Sequence, residues 1–127
     1  MAGVTYDTGA LIAAERNDRQ MWALHAGFLA EEIVPTVPAP VLAQTWRGGP
    51  GQASLVRLLA MCRVESLTPE LARAVGRLVG SSDHDDIVDV AVVEGAVRRR
   101  DAVVTSHAAD VRRVLGASGV RLAIEEV

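Results

Sequence analysis

The most informative segment of the chain is AGVTYDTGALIAA, residues 2–14. Residues 2–6 are apolar enough to form a buried strand, and Asp7 then begins a helical pattern with no linker between them. Four more strand-like segments follow, at residues 33–37, 63–67, 102–105 and 120–124. Helical patterns separate these segments, which predicts an α/β fold whose parallel sheet is covered by helices on both faces.

The helices are predicted from capping residues and from the spacing of apolar side chains. Their expected ranges are residues 8–14, 19–32, 40–47, 55–62, 69–79, 87–99 and 108–115. No internal repeat or long linker divides the sequence, and its length suits one domain. We therefore expect a single domain over residues 1–127.

The composition excludes several classes of protein. The 127 residues carry 13 basic and 16 acidic side chains, and all 13 basic ones are arginine. Without lysine there is no P-loop lysine, no Schiff base and no Ser-Lys dyad. The single cysteine, Cys62, forms neither an internal disulfide nor a zinc cluster. Four aromatic residues are too few for a base-stacking platform of the RRM or OB type.

Nothing in the sequence predicts a membrane segment. The longest apolar run near the middle covers only residues 90–93, far short of a membrane span. Residues 1–7 lack the basic and apolar regions of a secretory signal. We therefore expect a cytoplasmic protein.

A cluster of acids marks one helix start. Asp83, Asp85, Asp86 and Asp89 fall within seven residues and repel one another unless a cation or an arginine of a partner relieves the repulsion. One or two acids in the first turn of a helix need no function, since they interact favourably with its dipole. Four carboxylates with no cysteine favour a hard cation such as Mg²⁺ or Mn²⁺.

Two further candidates follow strands. Parallel sheets bind ligands beyond the carboxyl ends of their strands, where Asp7 and His107 are expected. A capping role competes with a catalytic one for both residues. Among the other histidines, His25 is expected in the core, and His84 has no predicted role. The arginines at 98–100 are expected to form a solvated helix end rather than an RNA contact.

Four segments in order resemble the PIN-domain family, and within it the VapC branch of bacterial toxin–antitoxin ribonucleases in its actinobacterial form. They are TYDTGAL (residues 5–11), VPAPVLAQTWR (37–47), DIVDVAV (86–92) and AVVTSHAAD (102–110). The resemblance covers essentially the whole chain. It implies a three-layer α/β/α domain with a five-stranded parallel sheet, and hydrolysis of RNA phosphodiesters with one or two Mg²⁺ or Mn²⁺ ions.

The resemblance also implies particular site residues and partners. The metal ligands would be Asp7, Asp89 and Asp86, and Thr5 and Thr105 would support them with hydroxyl groups. The catalytic positions as a whole are Asp7, Asp89, Gln44, Asp86, Asp110 and His107. The expected partners are an RNA substrate, a VapB-like antitoxin and a second copy of the chain. Arg47 or Arg112 is a candidate for holding the substrate phosphate.

Two departures from the family pattern leave a second hypothesis open. Gln44 stands where the family usually has Glu, and His107 where it usually has Asp or Asn. Both changes remove negative charge, and imidazole nitrogen suits Mg²⁺ poorly. The alternative is therefore a catalytically weakened PIN fold that binds protein or RNA. A receiver-type phosphoacceptor domain is disfavoured because the chain has no lysine.

Overall fold

The computed structural model describes residues 3–127. Its sheet contains five parallel strands in the spatial order β3-β2-β1-β4-β5. The strands are β1 (Val4–Tyr6), β2 (Thr36–Pro38), β3 (Arg63–Glu65), β4 (Ala102–Thr105) and β5 (Ile124–Glu126). This order confirms the predicted α/β fold, with β1 and β4 at the centre of the sheet.

Seven α-helices connect the strands within the described residues. They are α1 (Thr8–Glu15), α2 (Arg19–Ala30), α3 (Ala39–Thr45), α4 (Ala53–Leu59), α5 (Pro69–Ser82), α6 (Ile87–Arg99) and α7 (Ala108–Ser118). Helix α1 packs against α2, α3 and α4, whereas α5, α6 and α7 pack against one another. Because α1 and α6 both contact β1 and β4, the central strands are covered by both groups of helices. No helix in residues 3–127 is long and apolar enough to cross a bilayer.

The core is built on the central strands. Val4, Tyr6, Val103 and Val104 are completely or almost completely buried. The predicted core histidine, His25, is buried as well, and its Nδ1 lies 2.8 Å from the Tyr6 hydroxyl oxygen. These apolar strands are buried because helices cover both faces of the sheet.

The sequence prediction misplaced the first or last residue of three strands. Strand β2 begins at Thr36 rather than at residue 33, because Ile33 still donates its N–H to Phe28 O at the end of α2. Strand β3 ends at Glu65, two residues early. Strand β5 begins at Ile124 rather than at residue 120, because α7 continues to Ser118. Residue 2 of the predicted first strand lies outside the described residues.

Two of the three arginines at the end of α6 are paired rather than freely solvated, which corrects the prediction for Arg98 and Arg99, whereas Arg100 is exposed as predicted. Arg98 contacts Glu65 at 2.6 Å and Glu94 at 3.1 Å. Arg99 contacts Glu65 at 2.7 Å and Asp101 at 2.9 Å. Hydrogen bonds from Arg98, and then from Arg99, lower the pKa of the Glu65 carboxyl group. This network ties the last turn of α6 to the end of β3.

Gly9 sets how closely α1 approaches the turn after β4. A Cβ atom at Gly9 would lie 1.9 Å from Ser106 Oγ and 2.9 Å from its backbone nitrogen. The second clash is with backbone, so a rotamer change of Ser106 cannot relieve it. The first turn of α1 therefore touches the β4–α7 turn only because residue 9 has no side chain.

We expect Gly9→Ala to lower the free energy of unfolding by about 1–3 kcal/mol, the usual cost of overpacking. The matched control is Gly27→Ala in α2, where nothing lies within 4 Å of an added Cβ. That change should raise stability by about 0.5–1 kcal/mol. Urea unfolding of both variants measures the difference, and equal effects at the two positions would contradict the close approach.

Candidate active site

Asp7 lies between β1 and α1, at the carboxyl end of a central strand. Its N–H donates to Val104 O at 3.1 Å, which extends the pairing of β1 with β4 by one residue. Its Oδ1 accepts the N–H of Ala10 at 3.0 Å and so caps α1. Only 6% of Asp7 is exposed. The predicted capping role is therefore confirmed, and it also buries a carboxylate at the edge where a ligand is expected.

The surroundings of Asp7 disfavour its negative charge. Burial is the largest effect and raises the pKa of the Asp7 carboxyl group, and the nearby Asp89 charge raises it further. The Thr105 hydroxyl, the Ala10 N–H and the His107 ring act in the opposite direction but do not cancel the burial. No ion pair involves Asp7 anywhere in residues 3–127.

Asp89 and Asp86 occupy the start of α6. Asp86 is exposed and caps the helix, since its Oδ1 accepts the Asp89 N–H at 3.1 Å. Asp89 is half-buried in the first turn, and its charge acts on Asp7 from there. Asp83 and Asp85 are exposed. The four acids therefore do not act together, and Asp89 is the one whose charge acts on Asp7.

His84 is a functional candidate that the sequence reasoning missed. Its Nε2 lies 3.0 Å from Asp89 Oδ2, and only 10% of its side chain is exposed. Asp83 follows the last residue of α5 as its carboxyl-terminal cap. Its left-handed backbone (φ 54°) changes the direction of the chain just before His84. A contact five residues along the chain, across a loop, follows neither helix nor strand spacing. No signal in the sequence indicated it.

The turn after β4 brings His107 to the site. The His107 N–H donates to Thr105 Oγ1 at 2.8 Å, and Nδ1 of its exposed ring lies 3.0 Å from Ser106 Oγ. Its effect on the pKa of Asp7 shows that the ring lies near that carboxylate. Asp110 is half-buried in the first turn of α7, and its N–H donates to His107 O. The Thr105 hydroxyl lowers the pKa of the Asp7 carboxyl group, and its predicted support of a bound metal stays a prediction.

Gln44 reaches the site through Thr8, the residue after Asp7. The Thr8 hydroxyl donates to Gln44 Oε1, which joins the last turn of α3 to the first turn of α1. The role predicted for Thr5 was wrong. The Thr5 hydroxyl donates to Asp101 Oδ2 at 2.8 Å and accepts from Arg99 at 2.9 Å, so it belongs to the network at the end of α6.

A groove of about 470 Å³ runs beside the site along α1. Its lining includes Thr8, Ser106 and His107, and Arg16 supplies a cation. Arg112, a predicted phosphate contact, lines a different groove against residues 115–124. Of the arginines in these two grooves, Arg16 is the one placed next to site residues.

The donors at the site are mainly oxygens. Within residues 3–127, no three His, Cys, Asp or Glu side chains form a ready-made metal site. The charge of Asp89 nevertheless acts on Asp7, and within residues 3–127 no ion pair neutralises Asp7. Mg²⁺ commonly binds proteins through one or two carboxylates and keeps several waters. The pair therefore fits such a cation.

The comparisons with known proteins support the fold. The structure is similar to a chain in the crystal structure of VapBC2 from Rickettsia felis bound to a DNA fragment from their promoter, with a TM-score of 0.74 and 13% sequence identity. The match covers 97% of both chains. Neither the protein-family models nor the curated sequences match this chain. The α/β architecture is thus the PIN-like one that the sequence motifs indicated.

We expect Asp7→Asn to raise the free energy of unfolding at pH 7 in EDTA. Asparagine can still cap α1, and it removes a charge that burial disfavours. The gain should be about 1.4 kcal/mol for each unit by which the folded-state pKa exceeds the unfolded one. Because the raised pKa lets the folded state take up the proton first, the gain should shrink as the pH falls from 7 towards 4.

The control for this measurement is Asp18→Asn. Asp18 caps α2 in the same way, through Met21 N, but it is exposed. Its replacement should change stability little, since Asn and Asp cap helices equally well. Urea unfolding at several pH values tests both variants. A loss of stability in Asp7→Asn at pH 7 would contradict the proposed cost of the buried charge.

Proposed function

We propose that this chain is a metal-dependent endoribonuclease of the VapC type. The observation that carries the proposal is the pair of Asp7, buried at the end of a central strand, and Asp89, at the start of α6. Functional sites often contain a carboxylate whose charged form is disfavoured both by burial and by a second carboxylate nearby. The fold, which is similar to that of the VapBC2 chain, is the second support.

Asp7 and Asp89 would hold Mg²⁺ or Mn²⁺, and Asp86 would support them from the adjacent cap of α6. When bound, such a cation activates water and offsets the charge of a phosphate. Oxygen donors suit these ions. Gln44 offers a neutral carbonyl oxygen beside Thr8, and Asp110 lies one turn into α7.

The remaining polar groups would handle the RNA. The exposed His107 ring can donate a proton to the leaving oxygen, since its Nε2 is not used in the contact with Ser106. Arg16, in the groove along α1, can bind a phosphate next to the one that is cleaved. Cleavage would thus take place where the groove meets Asp7.

A VapC-type role implies partners. We propose a VapB-like antitoxin and a homodimer, in the cytoplasm. The acidic pair would favour a cationic side chain from the antitoxin, because an arginine beside Asp7 offsets the same buried charge that a metal would.

A second candidate function is binding of RNA or protein without cleavage. The observation in its favour is that Gln44 and His107 are not carboxylates, which leaves Asp7 and Asp89 as the two acids that act at the site. On this proposal the protein would retain the groove but would not cleave RNA. Cleavage assays with Mg²⁺ and Mn²⁺ separate the two functions.

We expect the purified chain to cleave RNA with Mg²⁺ or Mn²⁺ and to melt at a higher temperature when either ion is added. Asp89→Asn should lower the cleavage rate by about 100-fold or more, because a charge facing the cation is lost. Asp83→Asn is the matched control, since this acid is exposed at the end of α5. Equal losses in both variants, or intact RNA with the wild-type chain, would refute the nuclease.

We also expect His84→Ala to weaken metal binding by about 10-fold. The ring holds Asp89 Oδ2, which leaves the other carboxylate oxygen to bind the cation. The metal concentration for half-maximal activity should rise, while the rate at saturating metal changes little. His84→Gln should restore part of the affinity by donating to the same oxygen, and Asp85→Ala should have no effect. An unchanged metal requirement in His84→Ala would show that Asp89 is oriented without it.

A further inference from the structure

The segment after α3 is an exposed loop with an unusual internal support. It consists of residues 46–52 and is called the Trp46 loop below. Gln52, only 8% exposed, fixes it from inside. Its Oε1 accepts the N–H groups of Arg47 and Gly48 at 2.8 and 2.9 Å, and its Nε2 donates to Thr45 O and to Glu15 at 2.7 Å. Both ends of the buried amide are thus fully bonded.

The hydrogen bonds of Gln52 fix a loop whose aromatic side chain, Trp46, is exposed to solvent. Trp46 is 45% exposed. Trp22 is half-buried instead, since its indole N–H donates to Ala14 O and Arg57 lies over its ring. Tyr6 and Phe28 are buried. Among the four aromatic side chains of the sequence, only Trp46 therefore offers a free face.

The Trp46 loop also carries positive charge and a fixed backbone. Arg47 is exposed, and one guanidinium nitrogen donates to Trp46 O at 2.7 Å, which leaves its other N–H groups available. Gly48 has a left-handed backbone (φ 77°), and a Cβ there would lie 3.5 Å from the indole nitrogen. The edge of the ring that carries the indole nitrogen therefore lies close to the backbone at Gly48.

The position of the loop connects it to the candidate active site. Trp46 follows Gln44 by two residues, so their Cα atoms lie within about 7 Å of each other. Gln44 contacts Thr8, which is next to Asp7. A nucleic acid chain with a phosphate at Asp7 would therefore pass close to the Trp46 loop.

We propose that the Trp46 loop is a binding site for single-stranded RNA, in which the indole of Trp46 stacks on one base and Arg47 contacts an adjacent phosphate. Stacking of this kind is tolerant of sequence, because every base has a π-face. The proposal rests on the proposed function for the choice of RNA as ligand. It does not need cleavage, since it concerns a surface outside the acidic pair.

The test measures RNA binding in EDTA, where no metal-dependent cleavage takes place. The probe is a fluorescein-labelled single-stranded RNA of about 12 nucleotides, a length within the range of single-strand binding sites. At fixed salt, Trp46→Ala should weaken binding by about 5- to 100-fold, and Trp46→Phe should retain most of it. Met61→Ala, which also removes an exposed apolar side chain, is the control and should bind as the wild type does.

A second measurement observes the ring directly. In a Trp22→Phe protein, Trp46 is the sole tryptophan, and its fluorescence should be quenched as the RNA is added. Should Trp22→Phe fail to fold, the same titration of the wild-type chain and of Trp46→Ala gives the difference signal. Unchanged RNA binding in Trp46→Ala would overturn the proposal, and so would a wild-type chain that does not bind RNA.

The outcomes separate this site from the proposed nuclease. Binding that depends on Trp46, without cleavage by Mg²⁺ or Mn²⁺, would support the site and leave the second candidate function. Cleavage that is unaffected by Trp46→Ala would support the nuclease and refute the site. A loss of self-association in Trp46→Ala with RNA binding intact would show that the loop contacts protein instead.

Discussion

The close contact between Gly9 and Ser106 is the constraint on which the site depends. It lets the first turn of α1 lie against the turn that follows β4, two segments almost a hundred residues apart in sequence. Asp7, two residues before Gly9, is buried beside this contact, and Thr105 and His107 act on the pKa of its carboxyl group. A side chain at residue 9 would clash with Ser106 and push the two turns apart. The close approach of the Asp7 segment to Thr105 and His107 therefore depends on residue 9 having no Cβ atom.

The negative charge of buried Asp7 lowers the stability of the folded state. Its pKa is raised because burial and Asp89 both oppose its charge, and the hydrogen bonds from Ala10 and Thr105 do not compensate fully. Natural proteins retain such charges where a ligand relieves them. Anything that binds the pair while the chain is folded, whether a cation or an arginine of a partner, would also stabilise the fold by mass action.

The sequence predicted the fold more completely than the site. Apolar runs marked the central strands, because these are buried on both faces, and alternation marked β3. Asp7 was also recognisable as a possible cap. The ends of β2 and β5 were misplaced, since the preceding helices end by hydrogen bonds that leave no clear pattern. His84 and Gln52 were missed for a related reason. Their partners lie across loops or on other elements, at spacings that neither periodicity nor capping rules describe.

Helix α6 is held at both ends by different chemistry. Its first turn carries Asp89, and its last turn is tied to Glu65 and Asp101 by Arg98 and Arg99. Thirteen residues of helix span about 20 Å, so these ends are far apart. Because a helix is rigid, a tilt of α6 at its arginine end would also displace Asp89 at its other end. Loss of Glu65 would thus act on the candidate site through α6, with every site residue still in the sequence.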